Sequence, residues 1–274
     1  MKRWVIGLGV IIIGYFLLKG LITVFLYGTL FRVDSFHIFY GRPTQDKLEE
    51  LAQQDAAIIE PTAFTKKQIA FLQNEDVLLF GYVSLIQLEN WNDELKKNIV
   101  PSDYWMQEGE RLYISDWDTY VMDISEKHYR DVLMHKIRTE INEKQMDGIF
   151  LDTVDDLDYY FRDDPVTQKA MRTGYKQLLE EIKTAYPDLL IIQNRGFESY
   201  KAVSREKVDG ILWEGFNKQE LNKNHWAQNW RNYWKKEQLA GQVRVFTVVS
   251  DKESLQQSRI DNFPAFMQTG NMYQ

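Results

Sequence analysis

Short apolar runs alternate with amphipathic stretches along most of the chain, and this alternation limits the folds that are open to it. The runs are rich in β-branched or aromatic residues and cover 36–41, 56–61, 76–85, 148–152, 189–194, 209–214 and 244–251. Near-continuous apolar runs of this length are typical of parallel strands that are buried on both faces. Strands that alternate with helices predict a parallel sheet covered by helices.

Two of the intervening stretches have a clear helical pattern. Apolar residues recur mostly three or four positions apart over 126–143 and again over 167–185, where Pro187 ends the pattern. With a weaker eighth run near 270–273, the strands and helices predict one α/β domain over 33–274, a TIM-type (β/α)8 barrel of about the usual ~250 residues. A doubly wound open sheet is the alternative, but no GxGxxG turn follows the first strand, so the barrel is favoured.

The first 32 residues predict a membrane anchor. Residues 4–31 are mostly apolar and carry one charge, Lys19, and a helix of ~20 such residues crosses a ~30 Å hydrocarbon core. The first alanine is Ala52, so no small-residue cleavage site is present and an uncleaved transmembrane helix is favoured over a cleaved signal peptide. Lys2 and Arg3 place the N-terminus in the cytoplasm. The sequence therefore predicts a single-pass protein of the cell membrane with its barrel outside the cell and a lipid bilayer around residues 4–31.

Composition directs the chemistry toward carboxylates. The chain has no Cys, and none of its four His is in a metal-binding spacing, so neither a metal nor another cofactor is predicted. The net charge is −7, and residues 33–274 hold 29 basic against 40 acidic side chains. This balance excludes a nucleic-acid binder that follows phosphates. Acidic charge around a cleft would favour cationic ligands, and a merely solvated acidic surface is the alternative.

Acidic and amide side chains follow most of the predicted strands. In a (β/α)8 barrel these carboxyl ends meet at one mouth, where catalytic residues lie. The candidates at or near these ends are Ser84, Gln87, Glu89, Asp152, Asp155, Gln193, Asn194, Trp213, Glu214 and Asp251. Two carboxylates at such a mouth can flank a glycosidic bond, one protonating the leaving oxygen while the other attacks the sugar or activates water. Helix capping by the acids, turn formation by the amides and core packing of the tryptophan are the alternatives.

Several segments resemble one family of glycoside hydrolases. They are GYVSLIQLENW (81–91), MDGIFLDTVDDLDYY (146–160), IIQNRGFE (191–198) and ILWEGFN (211–217). These segments resemble the endo-α-1,4-polygalactosaminidase family, glycoside hydrolase family 114, and the related domain that hydrolyses Pel-type exopolysaccharide. The sharpest motif is D-G-x-x-L-D-x-x-D, which runs from Asp147 to Asp155. The resemblance carries the family's catalytic acids over to Asp152 and Glu214.

The resemblance implies a barrel that cleaves α-1,4-linked galactosamine or N-acetylgalactosamine polymers without a metal. We expect Asp152 to be the nucleophile and Glu214 the acid/base of a retaining reaction, and we expect the other candidates to bind the aminosugar polysaccharide. The family has an acid where this chain has Gln87. A non-catalytic polysaccharide-binding barrel in an export or biofilm system is therefore the main alternative. A metal-dependent phosphodiesterase is a third hypothesis.

Overall fold

The computed structural model describes residues 28–270 and Tyr273, and its centre is a near-closed barrel. In this part of the chain eight parallel strands form one sheet in chain order. They are β1 Phe36–Phe39, β2 Ala56–Ile59, β3 Leu78–Ser84, β4 Gly148–Asp152, β5 Leu190–Asn194, β6 Gly210–Glu214, β7 Arg244–Val249 and β8 Ala265–Met267. All seven strong apolar runs are strands, so the predicted α/β barrel is confirmed.

The eighth strand lies earlier in the chain than the sequence pattern predicts. Ala265–Met267 pairs with Thr247–Val249 of β7, whereas the prediction was a strand near 270–273. This strand has only three residues and follows Pro264 directly, so its apolar pattern is weak. Tyr273 contributes to the seam of the barrel in another way, because its carbonyl accepts a hydrogen bond of 2.7 Å from the Tyr40 backbone N–H at the end of β1.

Helices follow each of the first seven strands. The principal ones are Gln45–Leu51, Lys66–Asn74, Lys127–Lys136, Pro165–Ala185, Lys218–Lys223, His225–Leu239 and Lys252–Ile260, and shorter ones are Asp93–Lys96, Asp156–Tyr159 and Phe197–Ser199. π-Helical turns at Ile137–Ile141 and Tyr200–Ser204 extend two of them. Both helices that the apolar periodicity predicts are therefore present, the second of them beginning two residues early at Pro165.

Side chains of the strands alternate between the inside of the barrel and the layer beneath the helices. Phe150 of β4 belongs to the inner cluster with Leu212 of β6, whereas the neighbouring Ile149 and Leu151 belong to the outer core. Because strand side chains point to opposite faces with a period of two, Asp152 shares the inward orientation of Phe150. The same rule turns the last residues of β5 and β6 into the mouth.

Residues just before β1 close the floor of the barrel, at the amino ends of the strands. Leu30, in the 3-10 helix Thr29–Arg32, is buried in the inner cluster. The buried Arg244 guanidinium at the start of β7 donates to the Val33 carbonyl over 2.8 Å. Asp147, the first acid of the D-G-x-x-L-D-x-x-D motif, also lies at this end and accepts the Leu79 backbone N–H at 2.9 Å, which ties β4 to β3. The first aspartate of the motif is therefore structural.

The predicted membrane anchor lies almost entirely outside the described residues. Of the predicted span 4–31, only residues 28–31 belong to the described part of the chain. Within residues 28–270 and Tyr273, no helix has the length and apolar character needed to cross a membrane.

Substituting the floor residue is expected to weaken the barrel. Leu30→Ala should lower the free energy of unfolding by ~2–3 kcal/mol, because it opens a cavity among side chains that relax only partly. The measurement is denaturant unfolding of the full-length protein in detergent. Leu239→Ala is the matched control, since Leu239 is exposed and its loss should change stability by less than ~0.5 kcal/mol. Equal values for the two variants would contradict the proposed packing of Leu30.

Candidate active site

A cleft of about 1460 Å³ opens at the carboxyl ends of the strands. Inward-facing residues of the strand ends line its base. A long excursion between β3 and the helix Lys127–Lys136 lines one wall. This excursion contains an antiparallel sheet of Gln87–Glu89, Thr119–Val121 and Tyr113–Ile114. Of the predicted site residues, the lining includes Ser84, Gln87, Glu89, Asp152, Asp155, Asn194 and Glu214.

One amide joins the two predicted catalytic carboxylates. Asn194 Nδ2 donates to Asp152 Oδ1 at 2.8 Å and to Glu214 Oε2 at 3.0 Å. All three residues end neighbouring strands β4, β5 and β6, and Asn194 is buried. An amide NH₂ group offers two donors, so one side chain can hold two carboxylates that would otherwise repel each other. The alternative of a turn residue therefore does not apply to Asn194.

Burial changes the acidity of Asp152. Desolvation is the main cause that raises the pKa of Asp152 to about 6, and the nearby charge of Glu214 adds to it, while the hydrogen bond from Asn194 acts in the opposite direction. The Tyr82 phenol also faces this carboxylate, and burial followed by the Asp152 charge raises the Tyr82 pKa well above its usual range. At neutral pH, Asp152 is therefore mostly ionised and acts as an acceptor for its neighbours.

Glu214, the other carboxylate, is hydrogen-bonded by Tyr273, which lies far from it in the sequence. The Tyr273 hydroxyl donates to Glu214 Oε1, the oxygen that Asn194 leaves free. Burial, followed by the charge of Glu214, raises the pKa of Tyr273. Tyr40 lies beside both carboxylates, and burial together with the charges of Asp152 and Glu214 raises its pKa well above the usual range. Each carboxylate is thus accompanied by a phenol that stays protonated and can donate.

A strained turn fixes the loop that follows Asp152. Thr153 has a positive φ of 60°, which is rare for a β-branched residue. Its hydroxyl oxygen accepts the backbone N–H groups of Leu85 and Ile86, each at 3.1 Å, and lies 3.3 Å from the Ser84 hydroxyl. Ser84, predicted to bind substrate, lies in the cleft but also supports this turn.

Gln87 occupies the position where the resembling family has an acid, and it binds an acid instead. Its amide nitrogen donates to Asp156 Oδ2 at 2.5 Å, and its oxygen accepts the Thr119 hydroxyl at 2.6 Å. Desolvation is the main cause that raises the pKa of Asp156 to about 7, and the hydrogen bond from Gln87 acts in the opposite direction. The chain therefore retains a carboxylate at this part of the cleft, contributed by a different loop.

Glu89 and Asp155 line the cleft from two different segments, the excursion that follows β3 and the loop that follows β4. Glu89 is half-buried on the excursion and accepts a hydrogen bond of 3.1 Å from Asn92. Asp155 forms an ion pair of 3.4 Å with Arg195. Burial raises the Asp155 pKa, and Arg195 opposes this change.

Three of the predicted substrate-binding residues lie outside the cleft lining. The Gln193 amide is buried in the outer layer, where Tyr175 and Ser204 donate to its oxygen and its nitrogen donates to two backbone carbonyls. Trp213 packs on Phe197 and Phe216 in the same layer. Both residues stand one position before an inward-facing residue, so the strand alternation turns them away from the mouth.

Asp251 is the third predicted residue outside the cleft lining, and its position has a different cause. Its carboxylate accepts the Ser254 backbone N–H at 2.8 Å and the Ser254 hydroxyl at 2.7 Å. It is therefore the N-cap of the helix Lys252–Ile260, and these hydrogen bonds hold its pKa below the usual range.

The cleft lining also includes polar residues that were not predicted to belong to the site. Among them are Tyr40, Asp156, Arg195 and Tyr273. Tyr40 directly follows β1 and has the same parity as Ile38, so strand alternation could have identified it. Asp156 and Arg195 lie in the loops that follow β4 and β5, but only their long-range partners Gln87 and Asp155 distinguish them from solvated charges.

Fold and site together define a class of enzyme. A (β/α)8 barrel with carboxylates from several strands and an amide at its mouth, beside exposed aromatic side chains, is typical of enzymes that hydrolyse glycosidic bonds. Within the described part of the chain, no group of three or more His, Asp or Glu side chains is arranged to hold a metal ion. Residues 29–243 match the model of glycoside-hydrolase family GH114, and the chain belongs to this family of glycoside hydrolases.

Solved structures share the fold. The glycoside hydrolase domain of PelA from Pseudomonas aeruginosa is 16% identical, with a TM-score of 0.70 over 86% of this chain and 94% of that one. Aspergillus fumigatus Ega3, solved in complex with galactosamine, is 15% identical, with a TM-score of 0.63 over 85% of this chain and 89% of that one. The Thermus thermophilus α-galactosidase TtGalA is 12% identical, with a TM-score of 0.58 over 86% of this chain and 58% of that one. No curated protein sequence matches the chain.

Proposed function

We propose that the protein cleaves α-1,4-linked galactosamine or N-acetylgalactosamine polymers by a retaining mechanism. Asp152 is the nucleophile and Glu214 is the acid/base. In the first step the Asp152 carboxylate bonds to the anomeric carbon while Glu214 gives its proton to the leaving oxygen. In the second step Glu214 takes a proton from water, whose oxygen displaces Asp152 from the sugar.

The shared hydrogen bonds of Asn194 carry this proposal. The two bound oxygens, at 2.8 Å and 3.0 Å from one nitrogen, can be no further apart than the sum of these distances. This limit applies to the two facing oxygens, and so close an approach favours the ~5–5.5 Å between carboxyl groups of retaining enzymes over the ~6.5–9.5 Å that inverting enzymes need for a water. The pKa of about 6 leaves Asp152 ionised at neutral pH, as a nucleophile requires.

Charge and family membership support the aminosugar. Glu89, Asp155 and Asp156 line the cleft beside the central pair, and Arg195 is already bound to Asp155. Deacetylated galactosamine is cationic and is attracted by Glu89 and by the ionised fraction of Asp156, whereas the charge of Asp155 is balanced by Arg195. The GH114 membership and the galactosamine complex of the structurally similar Ega3 point to the same substrate class.

One incubation tests the activity. Full-length protein in detergent is mixed with galactosamine-rich exopolysaccharide, and the products are followed by mass spectrometry and by NMR of the first anomer formed. We expect oligosaccharides that first appear as the α anomer. First products in the β form would overturn retention, whereas polymer binding without products would favour the non-catalytic barrel. Loss of activity in EDTA would favour metal-dependent chemistry.

Glu89 is expected to discriminate between acetylated and deacetylated polymer. Glu89→Gln should raise KM for deacetylated polymer by ~10-fold and for acetylated polymer much less, because it removes an anionic partner of the ammonium group. Initial rates on matched polymers of both kinds measure this difference. Glu110→Gln is the control, since Glu110 is an exposed acid outside the cleft lining. Equal changes on both polymers would mean that Glu89 binds a hydroxyl or supports the loop.

We further propose that the part of the apolar run 4–31 that precedes the barrel-floor residue Leu30 anchors the enzyme in the cell membrane with the barrel outside. The apolar run and the basic residues Lys2 and Arg3 support this topology. Leu30 lies at the floor of the barrel, opposite the cleft, so an anchor that precedes it leaves the mouth facing away from the bilayer. Sedimentation with membranes and digestion of the barrel by protease added to intact cells are the expected results. A mature N-terminus beyond Arg32 in the medium would overturn the anchor.

A further inference from the structure

Two tryptophans stand exposed at the rim of the cleft. Trp91 is 67% exposed and Trp117 is 71% exposed, and both belong to the cleft lining. Both lie on the excursion that forms one wall. Exposing large aromatic side chains forgoes the free energy of burying them, so two of them at one rim indicate a surface that is covered by a ligand.

The backbone that presents these side chains is firmly held. Thr119 pairs with Glu89 in the antiparallel sheet, and just beyond this pair the Asn90 backbone N–H donates to the Asp118 carbonyl at 2.9 Å. The Asn90 amide and the Tyr113 hydroxyl donate to the Asp118 carboxylate at 3.1 Å and 2.7 Å. Asp118 itself has a positive φ of 52°. Trp91 and Trp117 each adjoin one member of the Asn90–Asp118 pair, so their spacing is set by this sheet.

The same excursion carries much of the negative charge of the protein. Between Gln87 and Asp123 the sequence contains nine acidic and three basic residues. A surface of this composition attracts a cationic chain over its length. The apolar faces of sugar rings lie against aromatic rings, so exposed indoles within an acidic wall suit a polymer of aminosugars.

We propose that Trp91 and Trp117 form a distal subsite on which sugar rings of a long aminosugar polymer stack beyond the point of cleavage. The occupant is the polymer already bound in the cleft, because the two indoles are continuous with the cleft lining. This inference rests on the proposed substrate. It assigns the excursion a role in binding long chains. The enzyme should therefore act within polymers, and the subsite should contribute less affinity for short substrates.

Polymer binding tests the subsite separately from catalysis. In an Asp152→Asn background, which is used so that polymer is not consumed, Trp91→Ala and Trp117→Ala should each weaken binding of deacetylated galactosamine polymer by ~10-fold, and the double variant by more. Affinity electrophoresis or calorimetry measures this change. Trp117→Phe should recover part of the affinity. Trp226→Ala is the control, because Trp226 is 47% exposed but lies on the outer helix His225–Leu239, outside the cleft lining.

Turnover provides the second measurement. In the active protein, the double variant should lose at least ~10-fold more kcat/KM on polymer than on a short galactosaminide. Equal losses on both substrates, or polymer binding that is unchanged in the double variant, would overturn the subsite. Absence of turnover by the unsubstituted protein with tryptophan-dependent polymer binding would overturn the proposed hydrolysis and leave the subsite supported. Failure of the unsubstituted protein to bind polymer would overturn both.

Discussion

Replacement of Asp152 or Glu214, the two central carboxylates, should lower kcat by at least ~10²–10⁴-fold. This is the usual scale for loss of an acid/base group. Asp152→Asn removes the attacking oxygen charge, and Glu214→Gln removes the proton that the leaving oxygen needs. Both substitutions are nearly isosteric and keep an oxygen that can accept from Asn194. The measurement is the initial rate on galactosamine polymer. A variant with near-native turnover would exclude its residue from the pair, and Asp155 would be the next acid to test.

Stability measurements separate a loss of chemistry from a loss of folding. Because burial raises the pKa of Asp152 from 3.8 to about 6, the folded protein favours the protonated form, and ionisation as the pH rises through this range costs stability. Asp152→Asn should therefore unfold at a temperature no lower than the unsubstituted protein above about pH 6. A much lower unfolding temperature would assign the lost activity to misfolding.

Azide then assigns the two roles. With an activated aryl α-galactosaminide, azide can replace the water that a missing acid/base no longer activates, and the product of the Glu214→Ala variant should be the α-glycosyl azide. In the Asp152→Ala variant azide can occupy the space of the nucleophile, and a single displacement yields the β-glycosyl azide. The opposite pattern of anomers would exchange the roles of Asp152 and Glu214.

Alternation explains which site residues the sequence could identify. Asp152 and Glu214 were recognisable because each directly ends a strongly apolar strand. The same alternation could have excluded Gln193 and Trp213 from the predicted site, since each precedes an inward-facing residue by one position. Applying it requires a strand boundary that is known to one residue, and the apolar runs extend beyond the strands at several ends.

Other parts of the site depend on contacts that no local pattern contains. Tyr273 reaches Glu214 because the end of the chain lies at the seam between β8 and β1. Gln87 and Asp156 are 69 positions apart and meet only because the excursion folds back over the mouth. Asp251 shows a different limit of sequence patterns. An acid directly after a strand can cap the next helix or face the mouth of the barrel, and the local sequence does not distinguish these two roles.

Asn194 is expected to matter through the carboxylates that it joins. Asn194→Ala removes the donor shared by Asp152 and Glu214, and kcat should fall by ~10²-fold, as for loss of one well-placed donor in an active site. The hydrogen bond from Asn194 lowers the pKa of Asp152, so its loss should raise that pKa above the present value of about 6. The acid limb of kcat/KM, which follows protonation of the nucleophile in the free enzyme, should therefore move to higher pH.

Gln193→Met is the matched control for this pH profile. Gln193 precedes Asn194 on the same strand but lies in the outer layer, so its loss should lower the unfolding temperature and leave the acid limb in place. Asp156→Asn tests the other source of such a limb, because burial raises the pKa of Asp156 to about 7. If the limb shifts in Asp156→Asn and stays fixed in Asn194→Ala, then Asp156 rather than Asp152 controls the pH dependence. A limb that moves only in Asn194→Ala identifies Asp152 as the group that must be ionised, and Asn194 as the residue that keeps it ionised near neutral pH.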